Sequence, residues 1–351
     1  MNLRDLDITP DLLKLIAEID EFKGSWRLLK TLSPERLRSL RHVATIESIG
    51  SSTRIEGSKL SDEAVEQLIA GLETQSFESR DEQEVAGYAQ AMDLVYENHE
   101  RIPFSENYIK QLHRDLLRYS SKDERHRGDY KKHANSVEAF DATGKSVGVI
   151  FETTSPFDTP RKMTELLSWV NEAIDDESLH PLIVVAIFAV VFLAIHPFQD
   201  GNGRLSRILT SLLLLKTGYT YIPYSSMESV IEKNKESYYL ALRRTQTTLE
   251  GEQVHWLPWL RFFLSSLKRQ KDHLDIKLEA HVGENLKGLP QHAVEILEYL
   301  AAHERITTRE AAEITGSGIP TTKSRLKKLV TDGFLETYGK GRGAFYAKAN
   351  R

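Results

Sequence analysis

The chain has 351 residues, of which 40% are apolar and 28% charged, and its formal net charge is −5. This length allows two or three domains with buried cores, and the acidic balance gives no overall nucleic-acid footprint, although it leaves room for local basic patches. The chain has no cysteine, which excludes disulfides, thiolate metal sites and cysteine nucleophiles and fits a reducing cytoplasm. The acidic N-terminus does not resemble a signal peptide, and the apolar run 181–195 is too short to cross a bilayer. We therefore expect a soluble cytoplasmic protein without a membrane partner.

Helical patterns, many of them opened by Ser or Thr before a proline or an acidic residue, cover most of the chain. The predicted helices span residues 10–22, 34–50, 61–72, 80–98, 105–119, 159–176, 180–195, 204–217, 227–247 and 255–280. One interruption lies at 135–151, where the runs 136–140 and 146–151 flank the turn-rich residues 141–144. This pattern predicts a short β-hairpin.

The last sixty-odd residues have the pattern of a separate domain after a linker at 287–290. A helix is predicted at 292–302, and Thr307 with Glu310 forms a capping box that opens a second helix at 308–314. A third helix begins at Pro320, and a two-stranded ribbon with a tip rich in Gly, Lys and Arg follows. This order predicts a winged helix-turn-helix domain.

The charge of this C-terminal stretch differs from that of the chain as a whole. Residues 320–351 hold eight Lys or Arg against two acids, Asp332 and Glu336. A local basic excess of this kind is typical of DNA-binding domains. A protein-interaction or dimerisation module is the alternative, and the sequence leaves it open.

The segment from His196 to Arg207 holds the candidate chemistry. It follows the apolar run 181–195 and precedes a new amphipathic pattern, so it joins a buried helix to the start of another. Gly201 and Gly203 suit a backbone that approaches a ligand closely, and a helix N-terminus after a Gly-rich turn binds phosphate. Asp200 is a hard oxygen ligand suited to Mg²⁺ beside that phosphate.

Two arginines and a histidine complete the inventory of this segment. Arg204 and Arg207 are three residues apart on the predicted helix, so both guanidinium groups can point at phosphate oxygens. His196 is the candidate general base. Taken alone, His196 would be interpreted as a satisfied histidine near the end of a core helix, and it is its neighbours that favour a functional role. A metal pair of His196 with Asp200 is disfavoured, because the glycines argue against helix at Asp200.

The segment from His196 to Arg207 resembles the Fic-domain family: it matches the family's pattern H-P-F-x-[D/E]-G-N-G-R-x-x-R at every position. Residues 128–131 resemble the turn that precedes the family's flap hairpin, with Lys131 where arginine is common. Residues 234–242 resemble the helix that borders the nucleotide. The resemblance covers roughly residues 30–270.

The resemblance implies an activity and a set of roles. Fic enzymes usually transfer AMP from ATP to a Ser, Thr or Tyr hydroxyl and release pyrophosphate. His196 would then accept the hydroxyl proton, and Asp200 would hold Mg²⁺ between the α- and β-phosphates. The implied ATP-binding residues are Gly201, Asn202 and Gly203 at the anion hole, Arg204 and Arg207 at the β- and γ-phosphates, and Tyr239. The flap would clamp the target protein by strand addition, although a hairpin of this kind could also be an edge ribbon without a partner.

A second motif lies upstream of this segment. Ser52 to Gly57 matches the pattern [S/T]-x-x-x-E-[G/N], which in the family marks an inhibitory helix. The resemblance implies that Ser52, Glu56 and Gly57 form this inhibitor and that Glu56 pairs bidentately with Arg207, where the γ-phosphate would bind. The simpler alternative is an ordinary helix end capped by Gly57.

The predicted fold is mainly α: a Fic helical-bundle core with a β-hairpin flap, an N-terminal helical region and a C-terminal winged helix. The predicted domains are 1–104, 105–284 and 285–351. The predicted function is that of an autoinhibited protein adenylyltransferase that uses ATP and Mg²⁺ and acts on a target protein or on itself. The alternatives are a DNA-binding regulator whose Fic domain senses nucleotide, and an enzyme that removes AMP. A homodimer is a further implication of the resemblance.

Overall fold

The computed structural model describes residues 3–4, 6–28, 34–72, 77, 79–140, 146–286, 290–303, 305–339 and 344–349. These residues form two compact units, one from the residues up to His273 and one from Leu274 onwards. The mainly α fold, with a hairpin in the first unit and a winged helix in the second, is confirmed. The division of the first unit into an N-terminal region and a catalytic domain at residue 104 stays a prediction. Within the described residues, no helix is both long and apolar enough to cross a membrane.

Two helices of the first unit begin with side-chain caps of the kind expected from the sequence, whereas Ser105, before the helix that starts at Glu106, makes no such hydrogen bond. Ser61 accepts the N–H of Ala64, and Ser79 forms a reciprocal capping box with Glu82, so both helices start where their first N–H groups find oxygen partners. The helices are α1 (Pro10–Leu28), α2 (Pro34–Ile55), α3 (Asp62–Ala70), α4 (Arg80–Asn98), α5 (Glu106–Leu116), α6 (Thr159–Asp175), α7 (Pro181–Ile195), α8 (Asn202–Lys216), α9 (Met227–Lys233), α10 (Lys235–Gln246) and α11 (Leu257–Leu286), the last of which starts in this unit.

Helix α7 is the centre of this unit. It is apolar on all sides, and nearly all of its side chains are buried, as expected of a helix surrounded by other helices. Phe188 packs edge-on against Phe104 at 5.1 Å, and the indole N–H of Trp259 donates to the carbonyl of Ala186 at 2.6 Å. A fully buried aromatic side chain contributes about 2 kcal/mol. The C-terminal end of α7, and the segment that follows it, are therefore fixed by the core.

Several predicted helix boundaries are wrong. Helix α1 continues to Leu28 instead of ending at residue 22, α5 ends at Leu116 instead of 119, and α11 continues to Leu286 instead of 280. Helix α2 does not end near residue 50 but continues to Ile55, because the buried hydroxyl of Thr53 is satisfied within the helix by the carbonyls of Ile49 and Gly50. The predicted helix 227–247 is broken at Asn234, whose φ of −124° interrupts the helix between α9 and α10. Helix α8 begins at Asn202 rather than at residue 204.

The predicted hairpin is present. Strand β1 (Ser136–Phe140) pairs antiparallel with β2 (Ser146–Glu152), from Ser136 opposite Glu152 to Phe140 opposite Ser146. Two register shifts interrupt the pairing, and such bulges increase the local twist of a ribbon. The predicted turn 141–144 lies outside the described residues.

The second unit has the predicted order of elements plus one unpredicted strand. Its elements are α12 (Gln291–Ala302), β3 (Ile306–Thr307), α13 (Thr308–Ile314), α14 (Ile319–Thr331), β4 (Leu335–Tyr338) and β5 (Phe345–Lys348), with sheet order β3-β5-β4. The capping box of Thr307 and Glu310 is confirmed. Strand β3 has only two residues, too few for an alternating pattern. Residues 287–289 of the predicted linker, the ribbon tip at 340–343 and Ser33 before α2 lie outside the described residues.

Candidate functional site

The loop after α7 makes two turns that place backbone in the left-handed region. His196 ends α7 with φ 51° and ψ 60°, and Gly201 precedes α8 with φ 78°. Glycine adopts this conformation freely, but for histidine it is uncommon and costs about 1 kcal/mol or more. The strain at His196 is therefore held in place by its surroundings, which points to a functional position.

The shape of the loop is set by Asn202. The side-chain oxygen of Asn202 accepts the N–H of Phe198 at 2.9 Å, and its amide nitrogen donates to the carbonyl of the same residue at 2.8 Å. The amide of Asn135, just before the flap, also donates to that carbonyl at 2.9 Å. Both ends of the Asn202 amide are thus used inside the loop, so its contribution to an anion site would come from its backbone N–H.

His113 of α5 contacts this loop, and no pattern in the sequence indicated its role. Its Nδ1 accepts the N–H of Gly128 at 2.8 Å, so Nε2 carries the proton and donates to the carbonyl of Asp200 at 3.0 Å. The ring of Phe198, fully buried, stacks on the ring of His113 at 3.8 Å. Burial lowers the pKa of His113 to about 4, so the ring is neutral at pH 7.

Lys131, which departs from the family's usual arginine, has a structural position. Its ammonium group is buried and donates to Asn135, Thr153 and the carbonyl of Ile195 at 2.7 to 3.0 Å. Burial lowers the pKa of Lys131 to about 8. The side chain ties the base of the flap to the end of α7.

His196 is oriented as a base. Its Nδ1 lies 3.3 Å from the carbonyl of Leu193, and since a carbonyl only accepts, Nδ1 carries the proton and Nε2 keeps its lone pair. Burial lowers the pKa of His196 to about 4. The imidazole is therefore neutral near pH 7 and able to accept a proton at Nε2.

Asp200 lies among cationic side chains. Its Oδ1 accepts the N–H of Gly201 at 2.6 Å and contacts Arg204 at 3.2 Å, whereas its Oδ2 faces Arg80 at 3.4 Å and Lys122 at 4.0 Å. Although burial opposes ionisation, Arg204 and the N–H of Gly201 hold the pKa of Asp200 below its usual range. One oxygen is thus fixed, and the other faces solvent-exposed cations.

The two arginines of α8 do not point the same way, contrary to the prediction from their spacing. Arg204, 2% exposed, turns towards Asp200 and towards Glu84 of α4 at 3.0 Å. Arg207 turns towards the end of α2, where its Nε donates to the hydroxyl of Ser52 at 2.8 Å. Each guanidinium group is oriented by the hydrogen-bond acceptors closest to it.

Glu56 lies directly over the first turn of α8. Its Oε1 accepts from Nη2 of Arg207 at 2.8 Å, and a Cβ placed on Gly203 would come within 2.2 Å of the same oxygen. Although burial opposes ionisation, Arg207 holds the pKa of Glu56 below its usual range. A carboxylate therefore occupies the helix N-terminus that the sequence suggested for phosphate.

The pairing of Glu56 with Arg207 is not bidentate as predicted. A single hydrogen bond joins Oε1 of Glu56 to Nη2 of Arg207. Ser52 occupies the rest of that edge of the guanidinium group, because its hydroxyl accepts from Nε and its carbonyl accepts from Nη2 at 3.0 Å. Gly57, also assigned to the inhibitor, follows α2 with φ 109° and lets the chain turn away. Ser52 and Glu56 thus hold Arg207 together.

Tyr239 lies at the edge of this cluster. It is half-buried on α10, and burial raises its pKa, with a further contribution from Glu56. Its neighbour Tyr238 is closer to the centre: a cavity of about 20 Å³ is lined by Tyr238, Arg207 and the buried Glu228. The structure therefore brings His196, Asp200, the glycines, both arginines, Ser52 and Glu56 together, with Tyr239 beside them.

The comparison with known families agrees with this geometry. Residues 103–214, which include the hairpin and the whole 196–207 segment, match the Fic/DOC family. The chain contains a Fic domain. Residues 291–336 match a winged helix-turn-helix DNA-binding family, so the Fic domain is followed by a winged helix-turn-helix domain.

Curated relatives of the Fic domain are adenylyltransferases by name. A probable protein adenylyltransferase of Aquifex aeolicus is 28% identical over 99 residues, which are 28% of this chain and 28% of the relative. The protein adenylyltransferase Fic of Drosophila grimshawi is 36% identical over 84 residues, 24% of this chain and 16% of the relative. The matched segments thus span less than a third of these relatives.

Solved structures resemble more of the chain. A Fic family protein of Desulfovibrio desulfuricans superposes with a TM-score of 0.60 at 22% identity, over 99% of this chain and 98% of the other. A Fic-domain signalling protein of Bacteroides thetaiotaomicron gives 0.60 at 25% identity over 75% of this chain and 98% of the other. The first likeness concerns the fold alone.

Among the described residues of the Fic domain, Asp200 offers an oxygen suited to Mg²⁺. Oδ2 of Asp200 is a hard carboxylate oxygen, whereas no group of three or more His, Cys, Asp or Glu able to hold a metal occurs in the described part of the chain. Mg²⁺ commonly binds through one carboxylate together with phosphates and water. The donor set therefore fits a metal that arrives with a nucleotide.

Proposed function

We propose that this protein is an autoinhibited adenylyltransferase, which transfers AMP from ATP to a hydroxyl side chain of a protein. The observation that carries the proposal is the position of Glu56, whose carboxylate lies on the first turn of α8 and on Arg207 at 2.8 Å. A helix N-terminus and an arginine that hold a carboxylate also suit a phosphate. The names of the relatives support AMP transfer as the reaction.

The neutral His196 would accept the proton of the target hydroxyl at Nε2, and the hydroxyl oxygen would attack the α-phosphorus of ATP. Pyrophosphate leaves as the new ester bond forms. The backbone N–H groups of Asn202 and Gly203 would bind the α-phosphate, whereas that of Gly201 is donated to Asp200. Arg204 and Arg207 would bind the β- and γ-phosphates. Asp200 would hold Mg²⁺, which would supply charge neutralisation for the phosphates. Such a reaction depends mainly on positioning and electrostatics.

Glu56 would inhibit by competition. While it occupies Arg207, the γ-phosphate cannot bind there, and ATP is held in an unproductive position. Removing the carboxylate of Glu56 should let ATP bind productively, because the other groups of the site are held by α5, α7 and α8 and do not depend on Glu56. Removal of AMP from a modified protein, with Glu56 positioning water, is the second enzymatic possibility.

The test is incubation of full-length protein with α-labelled ATP and Mg²⁺. Glu56→Gly should increase self-labelling at least tenfold. Each 1.4 kcal/mol by which the substitution destabilises the inhibited state, with Glu56 on Arg207, increases the population of the uninhibited site tenfold. His196→Ala in that background should abolish the label. Glu66→Gly, which removes a glutamate paired with His42 on the protein surface, is the matched control and should not activate. Equal labelling of Glu56→Gly and the unchanged protein would refute the inhibitory role.

DNA binding by the winged helix-turn-helix domain is a second candidate function. It is favoured by the family match of residues 291–336 and by the exposed basic side chains on α14, among them Lys323 and Lys327. This function could accompany AMP transfer, because it involves different residues. Alternatively, the domain binds a protein partner.

A further inference from the structure

Two cations that do not belong to the Fic signature, Arg80 and Lys122, face the open oxygen of Asp200. Arg80 begins α4, and its Nη2 lies 3.4 Å from Oδ2; Lys122 follows α5, and its Nζ lies 4.0 Å from the same atom. The two carboxylate oxygens of Asp200 therefore have different partners. Oδ1 is committed to the N–H of Gly201 and to Arg204, so Oδ2 is the oxygen available to a divalent cation.

The two cations differ from Arg204 in their freedom to move. Arg204 is 2% exposed and held between Glu84 and Asp200, whereas the side chains of Arg80 and Lys122 are 60% and 67% exposed. A divalent cation on Oδ2 would repel both of them from the carboxylate. Because their chains are long and exposed, they could turn to a new anionic partner without unfolding the loop.

We propose that Arg80 and Lys122 bind the diphosphate part of the nucleotide and the pyrophosphate that leaves it. The inference rests on the proposed function for the identity of the nucleotide. A phosphate that shares a metal with Oδ2 lies next to this oxygen, and both cations are already within 4.0 Å of it. Arg80 can offer its guanidinium fork while its Nε stays bonded to Glu84 at 2.7 Å. Lys122, 4.0 Å from the same oxygen, adds a point charge.

Arg80 and Lys122 should therefore change the affinity for a metal and the affinity for phosphate in opposite directions. Without nucleotide, Arg80 and Lys122 compete with a divalent cation for Oδ2. With nucleotide, they stabilise the phosphates. A variant that merely damages the site would weaken both ligands, whereas loss of one of these cations should strengthen metal binding and weaken pyrophosphate binding.

The experiment uses full-length protein carrying Glu56→Gly and His196→Ala, which opens the site and prevents turnover. Binding of inorganic pyrophosphate with Mg²⁺, of ATP and of AMP is measured by calorimetry for Arg80→Gln and Lys122→Gln. Each substitution should weaken pyrophosphate and ATP about tenfold, as expected for one lost charge-assisted contact, and leave AMP unchanged. Arg80→Lys should retain most of the affinity. The exposed pair Lys14→Gln and Arg38→Gln serves as the matched control.

The metal arm uses Mn²⁺ alone, detected by electron paramagnetic resonance. Arg80→Gln and Lys122→Gln should each strengthen Mn²⁺ binding about threefold, the size typical of one exposed charge. Unchanged pyrophosphate affinity, or weaker binding of both pyrophosphate and Mn²⁺, would overturn the inference. Since these are binding measurements, they do not depend on transfer. Absence of AMP transfer in Glu56→Gly with this pattern intact would refute the proposed function alone.

Discussion

His113 shows how one residue outside the signature can set the geometry of a site. It joins three parts of the chain: α5, the turn at Gly128 and the carbonyl of Asp200, and it also stacks on Phe198. Both hydrogen bonds require a neutral ring with the proton on Nε2. Protonation would place a second hydrogen against the N–H of Gly128 in a fully buried position, so the charged ring cannot be accommodated without loss of a contact.

Because the His113 ring is neutral in the folded protein, we expect acid to lower the free energy of unfolding. The folded pKa of His113 is lowered to about 4 from an unfolded value of 6.5, so its contribution is present above pH 6.5 and is lost as the pH falls towards 4. Between pH 7 and pH 5 the loss should be about 2 kcal/mol. Because the pKa of His196 is also lowered to about 4, urea unfolding at the two pH values isolates this contribution only when the unchanged protein is compared with a His113 variant.

His113→Gln should reduce this pH dependence by about 2 kcal/mol, even though the variant is less stable at pH 7. The matched control is His255→Gln, which removes an exposed histidine and should leave the difference between the two pH values unchanged. If His113→Gln lost as much stability between pH 7 and pH 5 as the unchanged protein, the ring would not be the neutral, buried group described above.

At this scale, the sequence predicted the residues whose roles depend on local spacing. His196, Asp200 and the glycines are neighbours in the chain, so their proximity follows from a single turn. His113 and Arg80 lie 87 and 120 residues from Asp200, and no local pattern relates them to it. The bidentate pairing of Glu56 was wrong for a similar reason, because the prediction could not include the competing hydroxyl of Ser52.

At the scale of elements, the inhibitory glutamate depends on how α2 is attached to α9. Arg54, two residues before Glu56, forms a bidentate pair with Glu232 of α9 at 2.7 and 3.1 Å. Its remaining nitrogen donates to Asp62 at 2.9 Å and to the carbonyl of Leu60 at 3.0 Å. These contacts raise the pKa of Arg54, although burial opposes the charge. Arg54 thus fixes the last turn of α2, and with it the position of Glu56.

Weakening this attachment should activate the enzyme while Glu56 remains present. Glu232→Gln removes the charge of the pair but keeps its shape, and a half-buried pair of this geometry should contribute about 1 kcal/mol. Self-labelling with α-labelled ATP should therefore increase about fivefold. Glu236→Gln, an exposed position on the neighbouring α10, is the control and should leave labelling unchanged.

The decisive comparison combines Glu232→Gln with Glu56→Gly. If Arg54 and Glu232 act by holding the inhibitory glutamate in place, Glu232→Gln should have no further effect once Glu56 is absent, and the two substitutions should be non-additive. An equal fivefold increase in both backgrounds would mean that Glu232 influences the reaction by another route. The sequence did not predict this attachment, because it placed the end of α2 near residue 50 and did not separate α9 from α10.

At the scale of the whole molecule, charge is distributed unevenly along the chain. The chain carries −5 overall, yet residues 320–351 carry an excess of six basic side chains. In the second unit, the core is formed by residues such as Ile296, Leu326 and Tyr346, which leaves Lys323 and Lys327 of α14 exposed. Periodicity, the capping box of Thr307 and Glu310, and the proline that opens α14 predicted the helices of this unit closely, whereas β3 is too short to be recognised.

This charge distribution predicts salt-dependent DNA binding by the full-length protein. Exposed lysines on α14 would contact phosphates and release counterions, so affinity for a duplex should fall as salt rises. Replacing Lys323 and Lys327 together by glutamine should reduce the slope of log affinity against log salt by about two. Fluorescence anisotropy with a labelled duplex of mixed sequence measures the slope, and Lys14→Gln in α1 is the control. Undetectable binding at low salt, or a slope unaffected by the two substitutions, would assign the domain to protein contacts instead. Because these lysines lie outside the Fic domain, self-labelling of the Glu56→Gly protein should be the same with and without them.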